Sequence, residues 1–242
     1  QESRGLGDVY KRQHHNRIND QFLTTALFNQ SVSYNPQTFE GLECLAFGGE
    51  SASENHINTL WKSIPELRLS NVYGPTETTT IALWYNIRTE MNKRTPVGIP
   101  VANVQIYVLQ DGHLCGIGVP GELCIAGDGV ARGYLNRPEL TAEKFIDNPF
   151  GKGKLYRTGD LARWLPDGNI EFLGRIDTQV KIRGFRIELG EIESQLRKVG
   201  SIKDCTVITR EDSDGEIVIN AYVVGNEKLD LEAVRELSLI HI

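Results

Sequence analysis

The apolar positions of this chain fall into three successive textures. Phe22, Leu23, Ala26 and Leu27 recur at helical spacing and predict a helix over 20–30. Leu42, Cys44, Leu45, Ala46 and Phe47 form a short apolar run that ends at Gly48-Gly49, the pattern of a buried strand entering a tight turn. Ser53 stands at an N-cap position ahead of a helix through Trp61, with Ile57, Leu60 and Trp61 on one face and Pro65 as its stop. Leu67, Leu69 and Val72 make another short strand before Gly74-Pro75.

From Val97 the period shortens. Val104, Ile106 and Val108 alternate with Gln105, Tyr107 and Leu109, and Asp111-Gly112 marks a hairpin turn. Leu123 and Ile125 lie on a strand opened by Pro120-Gly121. Pro138 sits at a helix start with Leu140 and Phe145 behind it, and 164–172 reads as a hairpin around Pro166-Asp167-Gly168. Turns at this spacing suit a small β-barrel. After Gly174 comes a third texture. Val180, Ile182 and Ile187 are strand-like, and Leu189, Ile192, Leu196 and Val199 follow the helical period. Residues 202–208 and 217–224 are β-rich, and a last helix starts near Asp230. This strand, helix, strand, strand, helix order is a small α+β unit with its own core. We place the boundary near Asp177, without a Pro/Gly/Ser linker.

Composition narrows the classes. With 242 residues and 40% hydrophobic content, the chain can hold one sizeable core, or one domain plus a smaller one. The net charge of −6 is spread over both signs, so no nucleic-acid footprint is present. No apolar run reaches the roughly 18 residues of a membrane span. Cys44, Cys115, Cys124 and Cys205 stand far apart without a CxxC pair, and read as free thiols in a reducing cytoplasm. His14 and His15 read as solvated. Residues 1–13 and 238–242 are out of character with their neighbours and read as foreign text at the edges of an assembled fragment.

Three segments carry chemistry. In Asn71-Val72-Tyr73-Gly74-Pro75-Thr76-Glu77, a strand delivers an aromatic ring, a Gly-Pro turn, hydroxyls and a carboxylate. The ring can stack a base, and hydroxyls and backbone N–H groups can receive phosphate oxygens. The carboxylate can hold Mg²⁺ beside phosphates. Read blandly, the same segment is a capped turn. In Tyr156-Arg157-Thr158-Gly159-Asp160-Leu161 a carboxylate at a strand end suits a ribose diol, or is a turn residue. The run 174–193 is densely charged and doubles as a protected edge strand.

NVYGPTE, GELCIAGDGVARGYL at 121–135, YRTGDL and GRIDTQVKIRGFRIELGEIE occur in that order. Together they closely resemble successive core motifs of the adenylation domains of nonribosomal peptide synthetases, within the adenylate-forming superfamily. The resemblance runs from about residue 16 to 237. It implies an α/β and α+β fold. The C-terminal part of the large subdomain (14–176, sheet plus small β-barrel) would be followed by a truncated small C-terminal subdomain (177–237).

The resemblance also implies roles. Glu77 would help hold Mg²⁺ and Thr76 would contact phosphate. Tyr73 would pack on adenine, with Asn71 at the adenine edge and Gly74 in the same turn. Asp160 would bind the ribose hydroxyls of ATP or AMP, and Arg175 would reach ribose and phosphate. Asp177 would be a hinge, and Lys181 and Gly184 would face the phosphopantetheine arm of a peptidyl carrier domain. Phe22, Ala46, Gly48, Val72, Thr80 and Ile81 match the substrate pocket. None is charged, which suits a neutral, aliphatic amino acid.

The implied activity is ATP plus amino acid to aminoacyl-AMP and pyrophosphate, followed by transfer to the carrier thiol. The family's phosphate loop and amino-group aspartate would lie upstream, and its catalytic lysine beyond Leu237. The expectation is therefore a chain inactive on its own. A stand-alone acyl- or aryl-acid ligase of the same superfamily, or a non-catalytic carrier-docking module, are the alternatives.

Overall fold

The structure is a computed structural model that describes residues 18–177, 179–182, 185–199, 201–211 and 217–225. The chain divides into two compact units, one ending at Ile176 and one beginning at Asp177.

The first unit opens with β1 (Asp20–Thr24), α1 (Thr25–Tyr34), β2 (Cys44–Gly48), α2 (Glu54–Ser63), β3 (Arg68–Tyr73), β4 (Leu83–Ile87) and β5 (Ile99–Pro100). The five strands form one sheet in chain order. β1, β2 and β3 are parallel, and β4 and β5 return antiparallel. Sequence pattern predicts helix at 20–24, where the structure has strand. Leu23 is buried and Phe22 half exposed, an alternation of period two that β2 fixes by pairing Phe22 with Ala46 and Leu23 with Phe47. The helix begins only after Thr24, whose hydroxyl accepts from the Leu27 N–H at 3.3 Å. α2 starts after Ser53, but that side chain bonds His56 Nδ1 at 2.7 Å instead of capping the helix backbone.

One face of this sheet carries Leu23, Leu45, Phe47, Leu69 and Ile87, packed on Phe28 and Val32 of α1 and Ile57 and Leu60 of α2. Phe28 and Phe47 stack with centroids 4.1 Å apart. By register the opposite face carries Phe22, Ala46, Gly48, Ser70 and Val72.

The unit continues with β6 (Val104–Gln110), β7 (His113–Leu114), β8 (Gly121–Gly127), α3 (Pro138–Lys144), β9 (Phe145–Asp147), β10 (Lys154–Trp164) and β11 (Ile170–Arg175). They form a six-stranded sheet ordered β11-β10-β8-β6-β7, with β9 on β10. Asp111 (φ 50°) and Gly112 (φ 79°) both adopt the positive φ that a two-residue hairpin turn needs. Ile106, Val108, Leu123, Ile125, Ala162 and Ile170 form its core with Ala82, Leu83 and Val97. β10 slips register against β8 between Arg157 and Leu161, and Gly159 at the slip has φ 72°. Such a bulge re-aims the residues beside it, here Thr158 and Asp160.

The second unit contains the hairpin β12 (Gln179–Ile182) and β13 (Phe185–Glu188), then α4 (Leu189–Leu196), β14 (Ile202–Glu211) and β15 (Ile217–Gly225). Its core is Leu189, Leu196, Ile202, Cys205 and Val207, with Val180, Ile187, Ile192, Ile219 and Val223 against it. The helix expected near Asp230 lies outside the described residues.

Candidate functional site

The register slip in β10 and the antiparallel pairing of Asp160 with Arg175 on β11 bring three sequence segments together. Arg175 Nη1 meets Asp160 Oδ1 at 2.8 Å and donates to the Thr158 carbonyl at 3.0 Å. The Tyr73 hydroxyl, from the end of β3, donates to Asp160 Oδ2 across 87 positions of sequence. Thr158 stiffens the turn from within: its hydroxyl donates to the Leu123 carbonyl at 2.7 Å and accepts from the Asp160 N–H at 2.9 Å. Asp160 is buried, and Tyr73 is half-buried with its hydroxyl turned onto that carboxylate. Burial, then the Asp160 charge and hydrogen bond, push the Tyr73 phenol well above its usual value. It is therefore a proton donor throughout the neutral range. Its ring leans on Phe172 with centroids 6.3 Å apart.

A second polar cluster forms around Glu77, which lies in a single 3₁₀ turn (Thr76–Thr78) and is buried. The Tyr134 hydroxyl donates to Glu77 Oε1 at 2.6 Å and lies 3.4 Å from the Tyr156 hydroxyl. Burial first, then the Tyr134 hydrogen bond and the Glu77 charge, raise the Tyr156 phenol. Phe145 packs on both rings, at 5.3 Å from Tyr134 and 4.9 Å from Tyr156. The backbone of Glu77 is held too, because the Ala131 N–H donates to its carbonyl at 2.8 Å.

The loop that follows Glu77 is conformationally demanding. Thr79 and Thr80 have φ of 63° and 68°, unfavourable for β-branched residues. The Thr79 hydroxyl donates to the Gly129 carbonyl at 2.8 Å. At Gly74 an added Cβ would meet the Thr80 carbonyl at 2.4 Å, so the turn closes only with glycine there.

The other sequence candidates are distributed as follows. Thr76 is exposed beside Glu77, while Asn71 is buried with its amide donating to the Pro96 carbonyl at 2.8 Å. Phe22, Ala46, Gly48 and Val72 share the sheet face opposite the helices, and Thr80 and Ile81 follow the strained turn. Gly48 has a structural reason as well, since a Cβ would fall 2.2 Å from the Val72 carbonyl. Asp177 opens the second unit and accepts from the Gln179 N–H at 3.1 Å. Lys181 is on β12, and Gly184 lies outside the described residues. Thr158, Tyr156, Phe172 and Tyr134 join these clusters without a role that the sequence pattern predicts. The motif 121–135 that contains Tyr134 is the available signal. Among the described residues no three His, Cys, Asp or Glu side chains gather as a metal cage, and no helix is long and apolar enough to cross a membrane.

Against known proteins, residues 9–135 match the family described as AMP-binding enzyme. The chain is 49% identical over 233 residues to tyrocidine synthase 3 of Brevibacillus parabrevis, covering 96% of this chain and 4% of that protein. It is 47% identical over 222 residues to surfactin synthase subunit 3 of Bacillus subtilis, covering 90% and 17%. The chain thus spans a small fraction of the length of the curated relatives it matches. Among solved structures it resembles holo-PA1221, an NRPS protein containing adenylation and PCP domains, with TM-score 0.87 and 29% identity over 96% of this chain and 42% of that one. It also resembles NpsA-ThdA, an artificially fused adenylation-PCP di-domain from Klebsiella oxytoca. There the TM-score is 0.85 and the identity 29%, over 98% and 45%.

Proposed function

Because this chain belongs to the AMP-binding enzyme family, we propose that it is the nucleotide-binding part of an adenylation domain that activates an amino acid for nonribosomal peptide synthesis. The observation that carries this reading is the meeting of Tyr73, Asp160 and Arg175 in one hydrogen-bonded cluster. A buried carboxylate with an aromatic ring and a guanidinium beside it is a receptor for a nucleoside monophosphate. Asp160 accepts from the ribose hydroxyls, and the Tyr73 and Phe172 rings offer apolar faces to the base. Arg175 neutralises Asp160, and its guanidinium can share its donors with the ribose or phosphate of a nucleotide.

Around Glu77 the donor set fits a magnesium nucleotide. A single buried carboxylate beside an exposed threonine, without a protein cage among the described residues, suits an ion that prefers one or two carboxylates plus phosphate oxygens. Glu77 would hold that ion, with Thr76 contacting phosphate, and when bound it offsets phosphate charge. The chain's own contribution is to fix these groups before the substrate arrives.

In this reading the parent enzyme joins an amino acid carboxylate to AMP with release of pyrophosphate, then passes the aminoacyl group to a carrier thiol. The solved neighbours containing adenylation and PCP domains support a carrier partner. The uncharged sheet face of Phe22, Ala46, Gly48 and Val72 supports a neutral, aliphatic side chain. Asp177, at the start of the second unit, is the hinge in this scheme, with Lys181 and Gly184 toward the carrier arm. The four free thiols suit a reducing cytoplasm. Calorimetric titration of the 242-residue chain with AMP tests the core of it. Wild type should bind, and Asp160→Asn should weaken binding by at least about tenfold, the loss of one charge-assisted hydrogen bond. Equal affinity in the two proteins would remove the carrying observation.

A further inference from the structure

The segment 128–134 is the one motif to which sequence reasoning gave no role, and it grips Glu77 at two points. Its Ala131 N–H holds the Glu77 carbonyl at 2.8 Å, and its Tyr134 hydroxyl holds the Glu77 carboxylate at 2.6 Å. We propose that Tyr134 is a positioning residue: its hydroxyl holds the buried Glu77 carboxylate in one place and direction, so that it can hold a metal ion carried on nucleotide phosphates. This rests on the reading of Glu77 given under "Proposed function".

The geometry suits that task. A phenol to a carboxylate oxygen at this distance is a charge-assisted bond, stronger than a neutral one. A ligand carboxylate is commonly oriented by such an outer hydrogen bond, and its loss costs metal affinity. Tyr134 is itself held from behind. Its N–H donates to Thr141 Oγ1 at 2.9 Å, and that hydroxyl donates to the Arg137 carbonyl at 2.8 Å. Gly133, at φ 141°, leaves no room for a side chain, since a Cβ would meet the Thr141 methyl at 2.3 Å. Phe145 fixes the ring edge-on, and the Tyr156 hydroxyl stands beside the Tyr134 oxygen. The phenol is therefore set before any ligand binds. A purely structural tie would need only some acceptor at position 77 and would serve a glutamine equally well.

The test separates position from packing. In the 242-residue chain, labelled at the glutamate carboxyl carbon, Glu77 is assigned by its loss in Glu77→Gln and its resonance is followed by NMR at neutral pH. Tyr134→Phe keeps the ring on Phe145 and removes only the hydroxyl. It should move the Glu77 carboxyl resonance. It should weaken Mn²⁺–ATP binding, read by electron paramagnetic resonance, by about tenfold, while metal-free AMP binding holds. Tyr156→Phe should move both in the same direction by less. If Tyr134→Phe melts early, Thr141→Val releases the Tyr134 backbone without touching the ring and should shift Glu77 the same way. An unmoved Glu77 resonance in these variants overturns the proposal. So does a moved resonance with unchanged Mn²⁺–ATP affinity in a chain whose wild type binds the complex. If wild type binds no nucleotide, the functional reading falls, and the Glu77 resonance alone still decides whether Tyr134 positions that carboxylate.

Discussion

The two polar clusters of the first unit solve the same problem in opposite ways. Asp160 is a buried carboxylate neutralised by a full cation, Arg175, at 2.8 Å. Glu77 is a buried carboxylate held at 2.6 Å by a neutral phenol. They share scaffolding: Tyr73 and Glu77 flank one turn after β3, and Tyr156 and Asp160 ride one strand, β10. The difference shows how each is prepared. A carboxylate already paired with a guanidinium is electrostatically satisfied and offers hydrogen-bond geometry to neutral hydroxyls. A phenol's hydrogen bond to a carboxylate instead fixes its place and direction without adding charge.

The largest expected effect comes from breaking the ion pair. Arg175→Ala leaves Asp160 buried with the Tyr73 phenol but without its cation. Removing one partner of a buried pair costs about 3 kcal/mol. The midpoint of urea unfolding should drop accordingly, and Arg175→Lys should recover only part of it, because a single ammonium cannot serve both Asp160 and the Thr158 carbonyl. The matching cut at the other cluster, Tyr134→Phe, removes an uncharged donor from a carboxylate and should cost less, about 1.5–2 kcal/mol. Equal losses would erase the contrast.

The clusters also differ in how far the sequence exposes them. Tyr73 and Arg175 end strands and Glu77 lies in a turn, while Asp160, expected at a strand end, sits inside β10 at its register slip; at each a charged or aromatic residue breaks an apolar period. Tyr134 gives no such signal. Its role exists only because residues 129–134 fold against the turn after β3, through bonds such as Thr79 Oγ1 to the Gly129 carbonyl. The same distinction governs the fold. Strands β2, β3, β6, β8, β10 and β11 follow from period and turn residues, as does α2. β1 was read as helix because Phe22, Leu23, Ala26 and Leu27 fit both periods across a boundary. Pairing with β2 decided between them. The order β11-β10-β8-β6-β7 is a long-range property that no local period encodes.

Alkaline pH probes both clusters at once. Tyr73 and Tyr156 have phenols raised in the folded state, against about 10 unfolded. The folded chain therefore holds protons that the unfolded chain loses. The stability they contribute is complete below pH about 10 and falls as pH rises above it, by about 1.4 kcal/mol per pH unit for each group. Cys124, its thiol pushed up to about 12 by burial, adds the same sign over the range from its usual 9.0, so the comparison belongs in a Cys124→Ala background. Between pH 9 and 11, unfolding free energies should fall less steeply in Tyr73→Phe and in Tyr156→Phe than in the parent. A slope unchanged in either variant would mean that its phenol is not held in the protonated form.

The smallest effect concerns the strained residues that follow Glu77. Thr79 and Thr80 both sit in the left-handed region, where a non-glycine residue costs about 1–2 kcal/mol. Thr80 is exposed, so Thr80→Gly removes the strain with little loss of packing. The gain is reduced because glycine also frees the unfolded chain. A net rise of about 0.5–1 kcal/mol should lift the melting temperature by about 2–3 °C. Thr79→Gly should gain less, since it also gives up the hydroxyl bond to the Gly129 carbonyl at 2.8 Å. Backbone strain of this kind persists where the surroundings over-determine it, and it clusters at ligand sites. Here it falls just after Glu77 in the chain. A relaxed turn should therefore leave AMP binding at the Asp160 cluster intact while loosening Mn²⁺–ATP binding at Glu77. A lower melting temperature in Thr80→Gly would show that the left-handed threonine is not strained. Equal weakening of both ligands would show that the turn serves the two clusters alike.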